Sequence, residues 1–338
     1  MRWMKTWRAW LAGSLLLTVG LLAGCGSMQT APRTESTVLR YADNQVTEYP
    51  GVVAGRYFAG LVKERTHGRI VIEMYDGGQL GDERNVVDLL RFGSVDIARV
   101  GLGPLMRLAP QLQVLHMPFL FRDYDHFRHT LDGDVGQELL NSMTNDGIRG
   151  LTWYDSGARS FFNARHPVRS RADMAGLRLR VQTGPMKDFV RALGAVPVVM
   201  NYGEIYAAVR DGRLDGAEHS WPSYVGTSVF ENAVYFVQDE HSRLPDMQVI
   251  SEHTWEKLSP EDQQILLECA QEAAEYEHEH ELWSGRDAEA RQQALEDGVQ
   301  VTELSPEAMA EFQKAAEPVY AKYCAPYQDL LARIRAVP

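Results

Sequence analysis

Apolar and polar positions change period several times along the chain. TVLRYAD (37–43) alternates as a strand does, NQVTEYPG follows as a loop, and a helical pattern runs from about Val52 to Arg65. GRIVIEMYDGG (68–78) is a second strand bounded by glycines. GDERNVVDLLRFGS opens with an acidic turn, carries apolar residues at helical spacing and stops at Gly93, before the strand VDIARVG. This order predicts parallel strands joined by helical crossovers. The same rhythm returns in GLTWYDS, LRLRVQ, the helix GPMKDFVRALG, VPVVM, the helix YGEIYAAVRDG and LDGAEHS, with no sequence repeat behind it. The end of the chain differs. Residues 259–298 open with a Ser259 cap and Pro260 in the first turn, then run about forty residues to Gly298 with no internal proline. One long helix is expected there, able to lie across two domains, with a further helix from Ser305.

The chain has 338 residues, 45% of them hydrophobic, enough for two domains of ordinary size. Arg2, Lys5 and Arg8 precede an apolar stretch, Ala9 to Leu22, that is short for a membrane span and closes on LAGC. Residues 1–24 therefore resemble a bacterial lipoprotein signal peptide, with Cys25 as the lipidated N-terminus of an exported protein held at a membrane by lipid. Residues 25–37 are small, polar and proline-containing, as a flexible tether should be. Removing the leader takes away three positive charges and no acids, so the net charge falls from −12 to −15. A chain that acidic is not a nucleic-acid binder, and any anion it binds must be caught by locally placed arginines. Cys269 and Cys324 are the remaining cysteines. They leave two readings open, a disulfide in an oxidising compartment or two buried thiols, and supply no metal site. The Glu and His of EYEHEHE lack metal-binding spacing and read as a solvated helix face.

The alternation in GLRLRVQ (176–182) puts Leu177, Leu179 and Val181 on one face and Arg178, Arg180 and Gln182 on the other. In open parallel sheets, ligands sit at the carboxyl ends of strands, where helix N-termini also offer free N–H groups. Arg180 lies near such an end, and QTGP then leads into a helix. The strand LTWYDSGARSFFN is expected to deliver Arg159 just past its end, and DGAEHSWPSY to deliver Glu218, His219 and Trp221. Two arginines, a His, a Glu and an indole suit a small hydroxylated organic anion. The guanidiniums would grip its carboxylate bidentately, and the indole would offer a plate for a ring or else pack the loop before Pro222.

GRIVIEMYDGGQLGDE, PFLFRDYDH, LDGDVGQELL, GLRLRVQ, GAVPVVMNYGEIYAAVRDGRLDGAE and LSPEDQQILLECA occur in this order and spacing. Together they resemble the solute-binding proteins of tripartite ATP-independent periplasmic (TRAP) transporters, of the dicarboxylate-binder type, over about residues 38–320. The resemblance implies an α/β, two-lobed periplasmic-binding-protein-like fold with hinge strands and a long bracing C-terminal helix. Lobe I would comprise 38–156 with about 245–284, and lobe II 157–244 with about 285–338. It implies a receptor that closes over a small organic acid and docks on a membrane permease; the receptor is expected to be a monomer and to need no cofactor. Arg180 matches the family's carboxylate-pairing arginine, Arg159 its second arginine, Asn44 a first-loop ligand position and Tyr202 a cleft aromatic. His219 stands where several sugar-acid binders carry Asn, and Gly101, with Arg99 nearby, where sialic acid binders carry Glu. GARSFFN and DGAEHSWPSY resemble the uronate-binding branch instead, with C4-dicarboxylates as the alternative ligand and a membrane sensor as the alternative partner. An enzyme acting on acidic sugars would need a second acid to pair with Glu218. The sequence names none, and it has no G-x-S-x-G elbow and no zinc signature.

Overall fold

The computed structural model describes residues 36–338; the expected leader, Cys25 and most of the tether lie outside the described residues. Ten strands occur in chain order: β1 (Thr37–Ala42), β2 (Ile70–Tyr75), β3 (Ile97–Gly101), β4 (Ile148–Asn163), β5 (Arg178–Val181), β6 (Val196–Val199), β7 (Gly216–His219), β8 (Tyr235–Gln238), β9 (Ser242–Ser251) and β10 (Gln300–Glu303). Their path is β2-β1-β3-β9-β4-β7-β5-β6, with β8 on β4 and β10 on β8. β1 pairs in parallel with β2 and β3, and β5 with β6 and β7, as the two α/β units require.

Two antiparallel strands join these halves. β9 pairs with β3 and with most of β4, whereas the last residues of β4 pair with β7 and β8. β4 thus runs sixteen residues, well past the expected end near Ser156, and Arg159 sits inside it rather than beyond it. The ladder breaks between Asp155 and Ala158, where Gly157 has φ +75°. A Cβ there would lie 2.8 Å from the Ser220 Cβ and 2.9 Å from the Trp283 ring, so only glycine fits the bulge.

The bracing helix is broken. Helices span Pro260–Glu279 and Leu282–Glu296, separated at Glu281 with φ +49°. The break lets Trp283 turn inward, where its ring meets Tyr49 edge-on at 5.1 Å and its indole N–H donates to Glu277 Oε1 at 2.9 Å. Glu277 Oε2 accepts from the Asp155 backbone N–H at 3.0 Å, tying the break to the β4 bulge. The first segment packs on helix Pro50–Arg65, and the second on helix Trp221–Gly226. Cys269 and Cys324 are buried free thiols, which decides between the two readings.

Burial, followed by the Asp155 charge, pushes the Glu277 carboxyl up to about 8, against the donors that pull it down. The folded state therefore holds a proton that the unfolded state, near 4.5, has lost, and stability must fall as pH rises through that window. Buried His116 and His219 are driven the other way by burial, yet both are neutral in both states above about pH 6.5. Between pH 6.5 and 8.5 the ligand-free melting temperature should decline. Calorimetry showing a flat or rising melting temperature there would contradict a protonated Glu277.

Candidate functional site

β1, β2, β3, β5 and β6 end on a common crevice between the lobes. A cavity of about 270 Å³ opens there, lined by Asn44, Glu83, Arg180, Gln182, Asn201 and Tyr202 among others. A smaller recess of about 40 Å³ shares Asn44, Glu83, Arg180, Gln182 and Tyr202 and adds Tyr49, Arg99, Ser156, Arg159 and Asp246. The two walls touch. Tyr202 Oη donates to Gln45 Oε1 at 3.2 Å, and Gln182 Nε2 donates to Glu83 Oε2 at 3.4 Å. A Cβ on Gly103 would come within 2.8 Å of the Gln182 side chain, so glycine permits this approach.

The strand alternation expected of β5 is present, with Leu179 and Val181 in the core, Arg178 on Asp215 and Arg180 turned to the cleft. Arg180 is 2% exposed, and its one hydrogen bond runs from Nε to the Met200 carbonyl at 2.9 Å. It has no carboxylate partner among the described residues. Burial lowers it to about 10, so it is still a cation at neutral pH.

The other two arginines are engaged. Arg159 Nε pairs with the Glu218 carboxylate, and its Nη2 donates to the Glu218 carbonyl at 2.7 Å and to His219 Nδ1 at 3.3 Å. Burial pushes Glu218 up, but the guanidinium outweighs it and holds the carboxyl at about 2. Arg159 thus borders the recess with only Nη1 lacking a hydrogen-bond partner among the described residues, not as the open fork expected. Arg99 is committed further. Its Nε donates to Asp43 Oδ2 at 2.8 Å, Nη2 to Asp43 and Asn44, and Nη1 to Asp246. Its guanidinium also sits over the Tyr49 ring at 5.0 Å. Arg99, expected as a candidate ligand group, borders the recess with each of its three guanidinium nitrogens hydrogen-bonded within the protein.

Asn44 and Tyr202 line the cleft. His219 is fully buried at the end of β7, with Nε2 unpartnered among the described residues; burial, followed by the Arg159 charge, keeps it neutral. Trp221 takes the packing alternative. Its ring stacks on Phe236 at 3.7 Å, its N–H reaches Gln238 at 3.2 Å, and it borders neither cavity. Glu83, Gln182, Asp43 and Asp246 escaped the sequence reading. The rule that ligands meet the carboxyl ends of parallel strands could have found Asp43, directly after β1, and Gln182, directly after β5. Glu83 hid in the acidic first turn of a helix capped by Asp82. No cluster of His, Cys, Asp or Glu among the described residues is placed to hold a metal ion.

Residues 44–326 match the family described as bacterial extracellular solute-binding protein, family 7. A TRAP periplasmic solute-binding protein from Bradyrhizobium sp. BTAi1, solved with α/β-D-galacturonate, is 35% identical. It superposes with a TM-score of 0.85, covering 88% of this chain and 99% of that one. Another from Pseudomonas putida F1, solved with D-glucuronate, gives 35% identity and a TM-score of 0.85 over 89% of this chain and 97% of that one. The 2,3-diketo-L-gulonate-binding periplasmic protein of Escherichia coli is 32% identical over 226 residues, 67% of this chain and 69% of its own. No described helix is long and apolar enough to cross a membrane. With the family spanning most of the sequence and the two-lobed architecture shared throughout, this chain belongs to the family 7 extracellular solute-binding proteins, the TRAP-type receptors that carry a solute rather than transform it.

Proposed function

We propose that the protein binds a hexuronate or closely related sugar acid in the interlobe cleft and delivers it to a TRAP permease. One observation carries this reading: a buried guanidinium, Arg180, faces the cleft with no carboxylate of its own. A buried ion left unpaired is expensive, and a ligand carboxylate is the partner that would relieve it. Asn44, Tyr202 and Glu83 line the same space, Arg159 borders the smaller recess, and these groups would meet the hydroxyls. The uronates held by relatives of the same architecture support the choice of acid.

In this reading lobe I is 38–156 with about 245–284, and lobe II is 157–244 with about 285–338. The crossings then fall at the β4 bulge, at the facing Arg243–Pro245 stretch of β9 and beside the helix break. Cys25 would carry the lipid and residues 25–37 the tether, with the receptor acting as a monomer.

A thermal-shift panel with glucuronate, galacturonate, aldonates, succinate, malate and sialic acid tests the reading. A ligand at a hundred times its dissociation constant adds about 2.7 kcal/mol, a shift of a few degrees for a chain of this size. Selective shifts with uronates are expected. A shift with succinate or malate alone would keep the receptor and overturn the sugar acid.

A further inference from the structure

Charges around the cleft are unevenly shared between its two walls. Arg99 is engaged by Asp43 and Asp246, and Arg159 by Glu218. A fourth acid, Glu83, forms no ion pair among the described residues: Oε1 accepts from the Gly101 N–H at 3.1 Å and Oε2 from Gln182 at 3.4 Å. Glu83 and Asp246 flank Gly101. A Cβ built there would lie 3.4 Å from Asp246 Oδ1 and 3.6 Å from Glu83 Oε2. Among the described residues the cleft thus has one cation without a carboxylate partner, Arg180, and on the lobe I wall two carboxylates near each other.

We propose that Glu83 and Asp246 determine specificity by excluding a second carboxylate from the ligand, so that the receptor takes polyhydroxy monocarboxylates and rejects dicarboxylates of the same skeleton. The inference rests on the receptor reading above and deepens it. A ligand hydroxyl can donate to either wall carboxylate, because an ionised carboxyl only accepts. A ligand carboxylate there can donate nothing, meets like charge, and finds every neighbouring guanidinium except Arg180 already paired. The single carboxylate of a sugar acid is taken by Arg180, and its hydroxyls satisfy the acids opposite. A diacid satisfies Arg180 and leaves its other end against Glu83 and Asp246.

Isothermal titration of the purified protein with glucuronate, gluconate and glucarate separates charge from shape. Gluconate and glucarate share one open-chain skeleton and differ only in the second carboxylate. At pH 8 Asp246, which burial lifts to about 6, is ionised. Gluconate should bind at least a hundredfold tighter than glucarate. In Glu83→Gln that ratio should shrink at least tenfold through a gain in glucarate affinity. Asp246→Asn, which leaves Asp43 on Arg99, should do the same if the first variant fails to fold. Equal affinities of the two open-chain acids would overturn the proposal while leaving a sugar-acid receptor in place. So would binding of glucuronate alone, since ring shape would then set the choice, or variants with an unchanged ratio. Binding of none of the three would remove the receptor reading itself.

Discussion

Arg180→Met is expected to weaken uronate binding by at least a hundredfold while leaving the ligand-free protein as stable as the wild type, or more so. The two halves of that expectation have one cause. Within the protein the guanidinium is withdrawn from water with one neutral acceptor, the Met200 carbonyl, and no counter-ion among the described residues. An apolar side chain of similar length removes the desolvation penalty, and such replacements of buried charge are often neutral or stabilising by about 1–4 kcal/mol. Binding moves the opposite way. A hydrogen bond to a charged group contributes about 1.5–3 kcal/mol, and a bidentate grip supplies two, so about 3–6 kcal/mol is lost, or two to four decades of affinity. Titration calorimetry gives the binding term and scanning calorimetry of the ligand-free protein gives the stability term. Affinity within tenfold of wild type would mean that Arg180 is not the anchor. A marked fall in the ligand-free melting temperature would mean that it supports the fold.

Arg180 was legible because its signal is local. Period-two alternation in a short parallel strand puts the arginine opposite Leu179 and Val181, and the helix after QTGP marks the end that borders the cleft. The parallel strands and their crossover helices were legible for the same reason. What could not be read is set by distant contacts. Whether an arginine is free or paired depends on acids far along the chain: Asp43 and Asp246 lie 56 and 147 residues from Arg99, and Glu218 lies 59 from Arg159. The passage of β4 through the hinge and the break at Glu281 have no proline to announce them. Both exist because Gly157, Ser220, Glu277 and Trp283 crowd one point, which only the assembled lobes bring about.

The Arg159–Glu218 pair shows the converse of Arg180. Its two residues sit on neighbouring strands, with Phe161 of β4 opposite Glu218 of β7, and both are buried. Glu218→Leu alone should destabilise the protein by about 3–5 kcal/mol, because it leaves Arg159 as a second unpaired cation beside Arg180. Adding Arg159→Met should recover most of that loss, giving a large favourable coupling in a denaturant-monitored double-mutant cycle. Acid titration checks the same pair independently. Glu218 is held at about 2 in the fold against an ordinary 4.5, so its contribution is whole above about pH 4.5 and is lost as pH falls toward 2. The double variant should lack that part of the acid transition. If Glu218→Leu were as stable as wild type, the pair would not be holding β4 to β7, and Arg159 would be free to join Arg180 on the ligand. The double variant should still bind a uronate through Arg180, more weakly by the one Arg159 nitrogen, Nη1, that the pair leaves without a partner at the recess.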